Sequence, residues 1–414
     1  MTGDTARPAH RESVTIAPGG TGLSSTFVLA LGTFAVGTDA FIVSAFLPAM
    51  AESMQVSIAM AGLSVISFTL AYAIFSPIIA ALTSAVPRRQ LLITATLILA
   101  IANVGSALAP ALWILIATRI VAAAAAATYT PSAGAVAAAL VRPELKARAL
   151  AVVIGGLTSA TALGVPLGRI ASTSMSWRMS LLFVAVVAVA AAIGIMISMP
   201  AMAGNPPVSL TRRLSVLRRP GVMTILPLTV LGMAACYAPQ AFTVQVLRAV
   251  SIPDNAVPLM LACYGIGAVV GNFASGAATD RWNAKAVLWC AYLVMLTTLA
   301  SLTWLSRVAG PEWPVIVALL MLTWGASSWA QGPAQQARLI AVAPTEAPLV
   351  IALNASAIYF GFAIGSTIGS LAVDVGITAL LGTAAALSVL ALAYAIITCR
   401  EGASPVPVAQ TSRS

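Results

Sequence analysis

The chain has 414 residues, 60% hydrophobic and only 8% charged, with a net charge of +10. A water-soluble protein carries about 25% charged residues, so this composition excludes a soluble globular domain. Apolar blocks of roughly 20 residues, the length that crosses a hydrocarbon core about 30 Å thick, point to an all-α integral membrane protein lying in a lipid bilayer.

The basic residues sit in short clusters between apolar blocks, as orientation signals do, so no nucleic-acid partner is expected. The only histidine is His10, and Cys236, Cys263, Cys290 and Cys399 lack metal-site or disulfide spacing. Histidine catalysis, metal and cofactor are therefore not expected, and neither is an enzyme.

In chain order, residues 1–25 read as a disordered polar tail without a cleavable signal peptide. Twelve candidate spans follow, at 26–47, 60–82, 89–109, 112–140, 147–169, 178–200, 221–248, 257–279, 286–306, 313–336, 348–371 and 376–398. Pro131 is expected to kink the fourth. The polar stretch 201–220, with Arg212, Arg213, Arg218 and Arg219, reads as a basic linker on anionic headgroups. It divides the chain into six-helix halves at 26–200 and 221–398, and residues 399–414 form a second tail. With the N-terminus inside, sixteen loop and tail Lys and Arg fall on the inner side and four on the outer side. Both termini are therefore expected to be cytoplasmic.

Two charges fall deep within spans. Asp39, in "AVGTDAFIVSAFLP", has no charged residue within twelve positions on either side, and Arg119 lies in span four. Each carries a penalty of about 2.5–3.5 kcal/mol if unpaired at a helix centre. Span one runs outward and ends near Leu47, and span four runs inward from about Leu112. At about 1.5 Å rise per residue both charges sit roughly 11–12 Å below the outer interface, so they are expected to pair. A neighbouring cation and desolvation pull a carboxylate in opposite directions. Asp39 thus reads either as a titrating group or as half of a static ion pair.

The halves repeat. Span five carries Gly156, Ala160, Gly164 and Gly168, and span eleven carries Ala357, Gly361, Gly365 and Gly369 at the same spacing, with Gly164 mapping to Gly361 and Gly168 to Gly365 at an offset of 197. Small residues four apart let another helix approach closely, and parallel repeats are a transporter layout. These faces are expected to slide as the halves rock. Buried amides and aromatics must face the bundle interior. The candidates for ligand contact are Tyr72, Tyr237, Gln240, Tyr264, Asn272, Trp324, Asn354 and Tyr359.

These motifs resemble the major facilitator superfamily, and within it the twelve-span drug:proton antiporters and sugar-efflux permeases. "GTDAFIVSAFLP" resembles the first-helix motif and "IATRIVAAAAA" the fourth-helix motif, whose Arg serves proton coupling. "GGLTSATALGVPLG", with Gly164, Pro166 and Gly168, resembles the fifth-helix motif associated with antiport. "GAATDRWNAK", with Gly276, Asp280 and Arg281, matches the second-half copy of the loop motif. In the first-half copy Ala80, Ser84 and Pro87 replace the family's Gly, Asp and Gly.

The resemblance implies two pseudo-symmetric six-helix halves and a monomer that exports a small amphipathic compound against inward proton flow, with Asp39 and Arg119 as the coupling pair. A sugar or metabolite exporter and a proton symporter are the alternatives within transport. A lipid-linked transferase would need an embedded D-x-x-x-D pair or a membrane-facing His, and neither is present. A non-transporting sensor would have no use for a titratable Asp39. High alanine content points to a GC-rich bacterial source and the plasma (inner) membrane.

Overall fold

The computed structural model describes residues 21–142, 146–174, 176–204, 216–308 and 313–400. The remaining parts of both predicted tails and of the basic linker lie outside the described residues. Among the described residues, twelve helices are long and apolar enough to cross a membrane. They are α1 (Thr21–Ser53), α2 (Ile58–Leu82), α3 (Arg88–Leu108), α4 (Leu112–Leu140), a compound α5, α6 (Trp177–Ser198), α7 (Pro220–Gln240), α8 (Val257–Arg281), α9 (Ala284–Leu305), α10 (Pro314–Val342), α11 (Ala347–Val373) and α12 (Ile377–Arg400).

Proline shapes two of them. α5 begins as Lys146–Ser159, widens into a π-helical turn at Ala160–Gly164 and continues as Val165–Ser174. Pro166 lacks the N–H that would close the turn on Ala162, and its ring crowds that carbonyl, so the wider turn forms just before it. The seventh span is shorter than its sequence predicts. It stops at Gln240 one residue after Pro239, and a separate short helix, Thr243–Ala249, covers the rest of the predicted span. Pro131, by contrast, leaves α4 continuous from Leu112 to Leu140.

The helices pack as two six-helix halves with the same internal pairing. In the first half α1 packs on α5 and α6, α2 on α4, and α3 on α4 and α6. In the second half α7 packs on α11 and α12, α8 on α10, and α9 on α10 and α12. Every pair thus recurs six helices later. The contacts between the halves obey the same exchange, α2 against α11 and α5 against α8. This is a two-fold pseudo-symmetric bundle, with α4 contributing a buried alanine run (Ala122, Ala123, Ala125, Ala126, Ala127) to the core.

The small-residue faces of α5 and α11 act inside each half, not between the halves as a sliding surface would. A Cβ at Gly156 would strike the Ala30 carbonyl of α1, and Gly164 and Gly168 abut Thr38 and Ile42 of the same helix. Gly361, Gly365 and Gly369 abut Val230, Ala234 and Ala238 of α7. The spacing marks a close approach without naming the partner, and in both halves that partner is the first helix.

Candidate functional site

Asp39 and Arg119 meet. Arg119 donates from Nη1 to Asp39 Oδ1 at 2.5 Å and from Nη2 to the Asp39 carbonyl at 2.9 Å. Both residues are buried, at 0% and 1% exposure, and the pair bridges α1 and α4 as the matched depths required. The guanidinium also lies over the Phe68 ring of α2, 4.3 Å from its centroid, and Asn103 of α3 adjoins the carboxylate. Four helices therefore converge on one charge pair. A buried pair persists only when its geometry is good and further bonds satisfy its remaining polar atoms. The backbone bond and the aromatic face do so only in part, since Asp39 Oδ2 and Arg119 Nε are buried without a hydrogen-bond partner among the described residues. Neither Phe68 nor Asn103 stands out in the sequence, because an Asn or Phe in an apolar run carries no sign of what it faces.

Next to this pair stands an aromatic cluster drawn from both halves. Phe41, two residues after Asp39, contacts Tyr237, Trp329 and Phe362 of the second half at centroid distances of 6.3, 5.9 and 6.1 Å. Tyr237 stacks on Phe362 at 4.2 Å. Tyr72 of α2 stacks on Tyr359 of α11, with centroids 3.5 Å apart and planes at 15°. The second half thus presents an aromatic wall to the charge pair of the first.

Beside the cluster a small cavity is lined by Phe41, Ser44, Thr161, Val165, Gln240, Thr243, Leu261 and Tyr264. It has room for about one water. Thr161 comes from the π turn of α5, which packs against Gly265 of α8, so the distortion caused by Pro166 falls where the halves touch. Tyr264 sits edge-on to Trp324 at 5.2 Å. The Tyr264 hydroxyl, the Trp324 Nε1 and the Ser328 hydroxyl are buried without hydrogen-bond partners.

Of the sequence candidates, Asp39, Arg119, Tyr72, Tyr237, Gln240, Tyr264, Trp324 and Tyr359 gather in this central region. Two do not. Asn354 accepts from Thr229 at 3.0 Å, and Gln335 donates to Thr229 at 3.1 Å, in a polar chain inside the second half that continues to Arg338. Asn272 is half-buried on α8, and its carbonyl accepts from Ser275. Gly276, within the second-half loop motif, has nothing within 4 Å of a Cβ position. Arg281 closes the last turn of α8, and the side chain of Asp280 lies outside the described residues.

The contacts between halves run from mid-depth to the end of the bundle that carries the α1–α2 turn. Ser370 donates to the Ala59 carbonyl at 3.0 Å, and Gly62 packs on Phe242. Buried Arg169 of α5 donates to the Ala45 carbonyl at 3.3 Å and lies 3.9 Å from Asp254 of the other half, which Arg248 holds through two 2.9 Å bonds. Those bonds hold the Asp254 carboxyl below the usual carboxylate range and the Arg248 guanidinium above its own. Toward the opposite end, a Cβ added at Gly155 or Gly276 would meet nothing within 4 Å. The molecule is therefore closed toward the α1–α2 end.

Fold and site together define a multi-pass membrane protein whose two halves enclose one buried charge pair. The sequence model of the Major Facilitator Superfamily matches residues 29–251 and 228–413, and the chain belongs to that family. It is a transporter of that superfamily, whose members carry small-molecule substrates. The chain is 30% identical over 353 residues to the inner membrane transport protein YdhP of Escherichia coli K12, covering 84% of this chain and 88% of that protein. It is 30% identical over 331 residues to the chloramphenicol resistance protein of Streptomyces lividans, covering 78% and 82%. Among solved structures it resembles a D-xylose–proton symporter, with a TM-score of 0.75 at 16% identity over 91% of this chain and 97% of that one. A structure of the human organic anion transporter MFSD10 matches with a TM-score of 0.69 at 15% identity, over 91% of this chain and 100% of that one.

Proposed function

We propose that the protein is a proton-coupled antiporter that exports a small amphipathic compound by alternating access. The observation that carries this reading is the buried Asp39–Arg119 pair beside an inter-half aromatic wall. Asp39 is the proton site. While it is ionised, Arg119 compensates it. When the halves rock, the contacts of Phe41 with Tyr237, Trp329 and Phe362 must rearrange, and the solvation of the neighbouring carboxylate changes with them. Substrate enters from the side opposite the α1–α2 turn, and a proton arriving from the other side resets the carboxylate. Likeness to a chloramphenicol resistance protein supports efflux, and the π turn at Pro166 supplies the two halves with a deformable contact.

In this reading both termini are cytoplasmic, with residues 201–220 as the linker between the halves, which the excess of Lys and Arg in the loops and tails on the N-terminal side supports. The membrane is a bacterial inner membrane, as in the Escherichia coli relative, and the monomer is the working unit. A pocket with one net-neutral ion pair suits neutral or monocationic compounds, since polyanions call for clustered Arg or Lys.

The test is proton release on substrate addition to detergent-purified protein, wild type beside Asp39→Asn, with a panel of lipophilic cations, chloramphenicol-like neutrals and pentoses. Release by one class in the wild type and none in the variant supports the reading. Binding without release in either protein refutes antiport and leaves Asp39 as the structural partner of Arg119.

A further inference from the structure

Tyr72 and Tyr359 form a contact unlike the others in the cluster. Their rings belong to opposite halves and lie almost directly face to face, 3.5 Å apart and 15° from parallel, at 1% and 7% exposure. Aromatic faces carry negative quadrupole density, so rings prefer offset or edge-on arrangements with centroids about 4.5–7 Å apart. Most neighbouring contacts keep to that preference, the Tyr237–Phe362 stack at 4.2 Å and 24° falling just short of that range. Tyr359 meets Phe362 edge-on at 5.4 Å and 71°, and Phe41 meets Trp329 at 5.9 Å and 76°. Two electron-rich phenol faces superposed this closely repel electrostatically. Burial between α2 and α11 and the contact between the Tyr72 and Tyr359 hydroxyls hold them together rather than ring attraction.

The consequence is a slot. Motion that parts α2 from α11 at mid-depth leaves two parallel, electron-rich walls with nothing between them. A third planar ring fills that gap, and an electron-poor ring turns repulsion into attraction on both faces. A saturated ring of the same size is too thick to fill a gap of one ring thickness and has no quadrupole to match. The nearest charges, Asp39 and Arg119, cancel each other, so the slot gives no net pull on a charged ligand.

We propose that Tyr72 and Tyr359 form a clamp for a planar, electron-poor aromatic ring of a neutral substrate. The proposal rests on the transport reading and adds the substrate class and its determinant to it.

The experiment measures binding to purified full-length protein by calorimetry, using N-(4-nitrobenzyl)acetamide beside N-(cyclohexylmethyl)acetamide. Proteins are the wild type, Tyr72→Phe, Tyr72→Leu and Tyr359→Leu, each checked for unchanged melting in detergent. The nitroaryl probe should bind more tightly than the cyclohexyl probe. Loss of one wall in either Leu variant should weaken it about threefold to tenfold, in line with the stacking contribution of an aromatic pair. Tyr72→Phe should bind within about twofold of the wild type, since it keeps the wall, and the cyclohexyl probe should be indifferent to all three changes. Equal binding of the two probes, binding of neither, or equal losses for both in the Leu variants would overturn the clamp. Failure of the transport reading shows separately, as ring-selective, Tyr72-dependent binding that releases no proton. Failure of the clamp alone shows as proton release by both probes without ring preference.

Discussion

Gly155 and Gly156 are adjacent on α5 and look alike in sequence, yet a methyl group added to each should have different effects. At Gly155 a Cβ would meet nothing within 4 Å. At Gly156 it would strike the carbonyl oxygen of Ala30, with the carbonyl carbon 2.9 Å away, and the hydroxyl of Thr33. That hydroxyl cannot retreat easily, because it donates to the Val153 carbonyl at 2.6 Å and contacts the Ala30 carbonyl at 3.0 Å. Replacing a helical glycine by alanine gains up to about 1 kcal/mol from helix propensity, and this gain applies to both positions and cancels in the comparison. What remains is overpacking at Gly156 alone, about 1–3 kcal/mol. Gly156→Ala should therefore be less stable than Gly155→Ala by about that amount, with Gly155→Ala at or slightly above the wild type. Thermal melting in detergent, followed by tryptophan fluorescence, reads the difference directly. If Gly156→Ala melts with Gly155→Ala or above it, the seating of α5 on α1 is wrong. Gly365→Ala repeats the test in the second half, where a Cβ would lie 2.6 Å from the Ala234 carbonyl.

Removing one member of the Asp39–Arg119 pair, as in Arg119→Met, should cost about 3–5 kcal/mol in stability. The double variant Asp39→Leu/Arg119→Met should recover most of that loss in melting experiments while abolishing proton-linked transport; a double variant as unstable as the single one would rule out the pairing. At the closed end, Asp254→Asn should weaken the link between the halves and speed maleimide labelling of a Ser44→Cys reporter, and an unchanged rate would show that Asp254 does not help hold this end shut. The pH dependence of that link follows from the depressed Asp254 carboxyl. A lowered folded value gives a contribution that is complete above the ordinary carboxylate range, about pH 4, and is lost as pH falls through the folded value. Divided by the thiolate fraction of the reporter, the labelling rate should accordingly stay flat from about pH 5 to pH 8 and rise only in stronger acid.

How far the sequence leads depends on which physical constraint is at work. The Asp39–Arg119 contact is legible because rise per residue is constant and the two helices run in opposite directions, so counting from the outer turns fixes both depths. The glycine stripes are legible as close approaches but not as interfaces, since small residues show that a backbone comes near and not whose backbone it is. The aromatic cluster is the least legible part. In a soluble helix, polarity marks the outer face, whereas in a bilayer the lipid-facing and core-facing sides are equally apolar. Phe41 is 2% exposed and Phe27, about four helical turns away on the same helix, is 58% exposed, with nothing in the residue type to separate them. The same limit hides Phe68 and Phe362.

What distinguishes the buried rings is their distance from the one ion pair with both members buried among the described residues, and that gives the arrangement its logic. A carboxylate and guanidinium joined within the first half could remain paired throughout a rocking motion, because no bond between them crosses the interface. The rings do cross it, at Phe41 and at Tyr72. Motion between the halves is therefore felt at Asp39 through its aromatic neighbours two residues away, and the pair itself need not break. On this argument Phe41→Ala should uncouple proton release from substrate binding while leaving the Asp39–Arg119 pair and the fold intact. Proton release that stays stoichiometric with substrate in Phe41→Ala would show that the coupling runs through the charge pair alone.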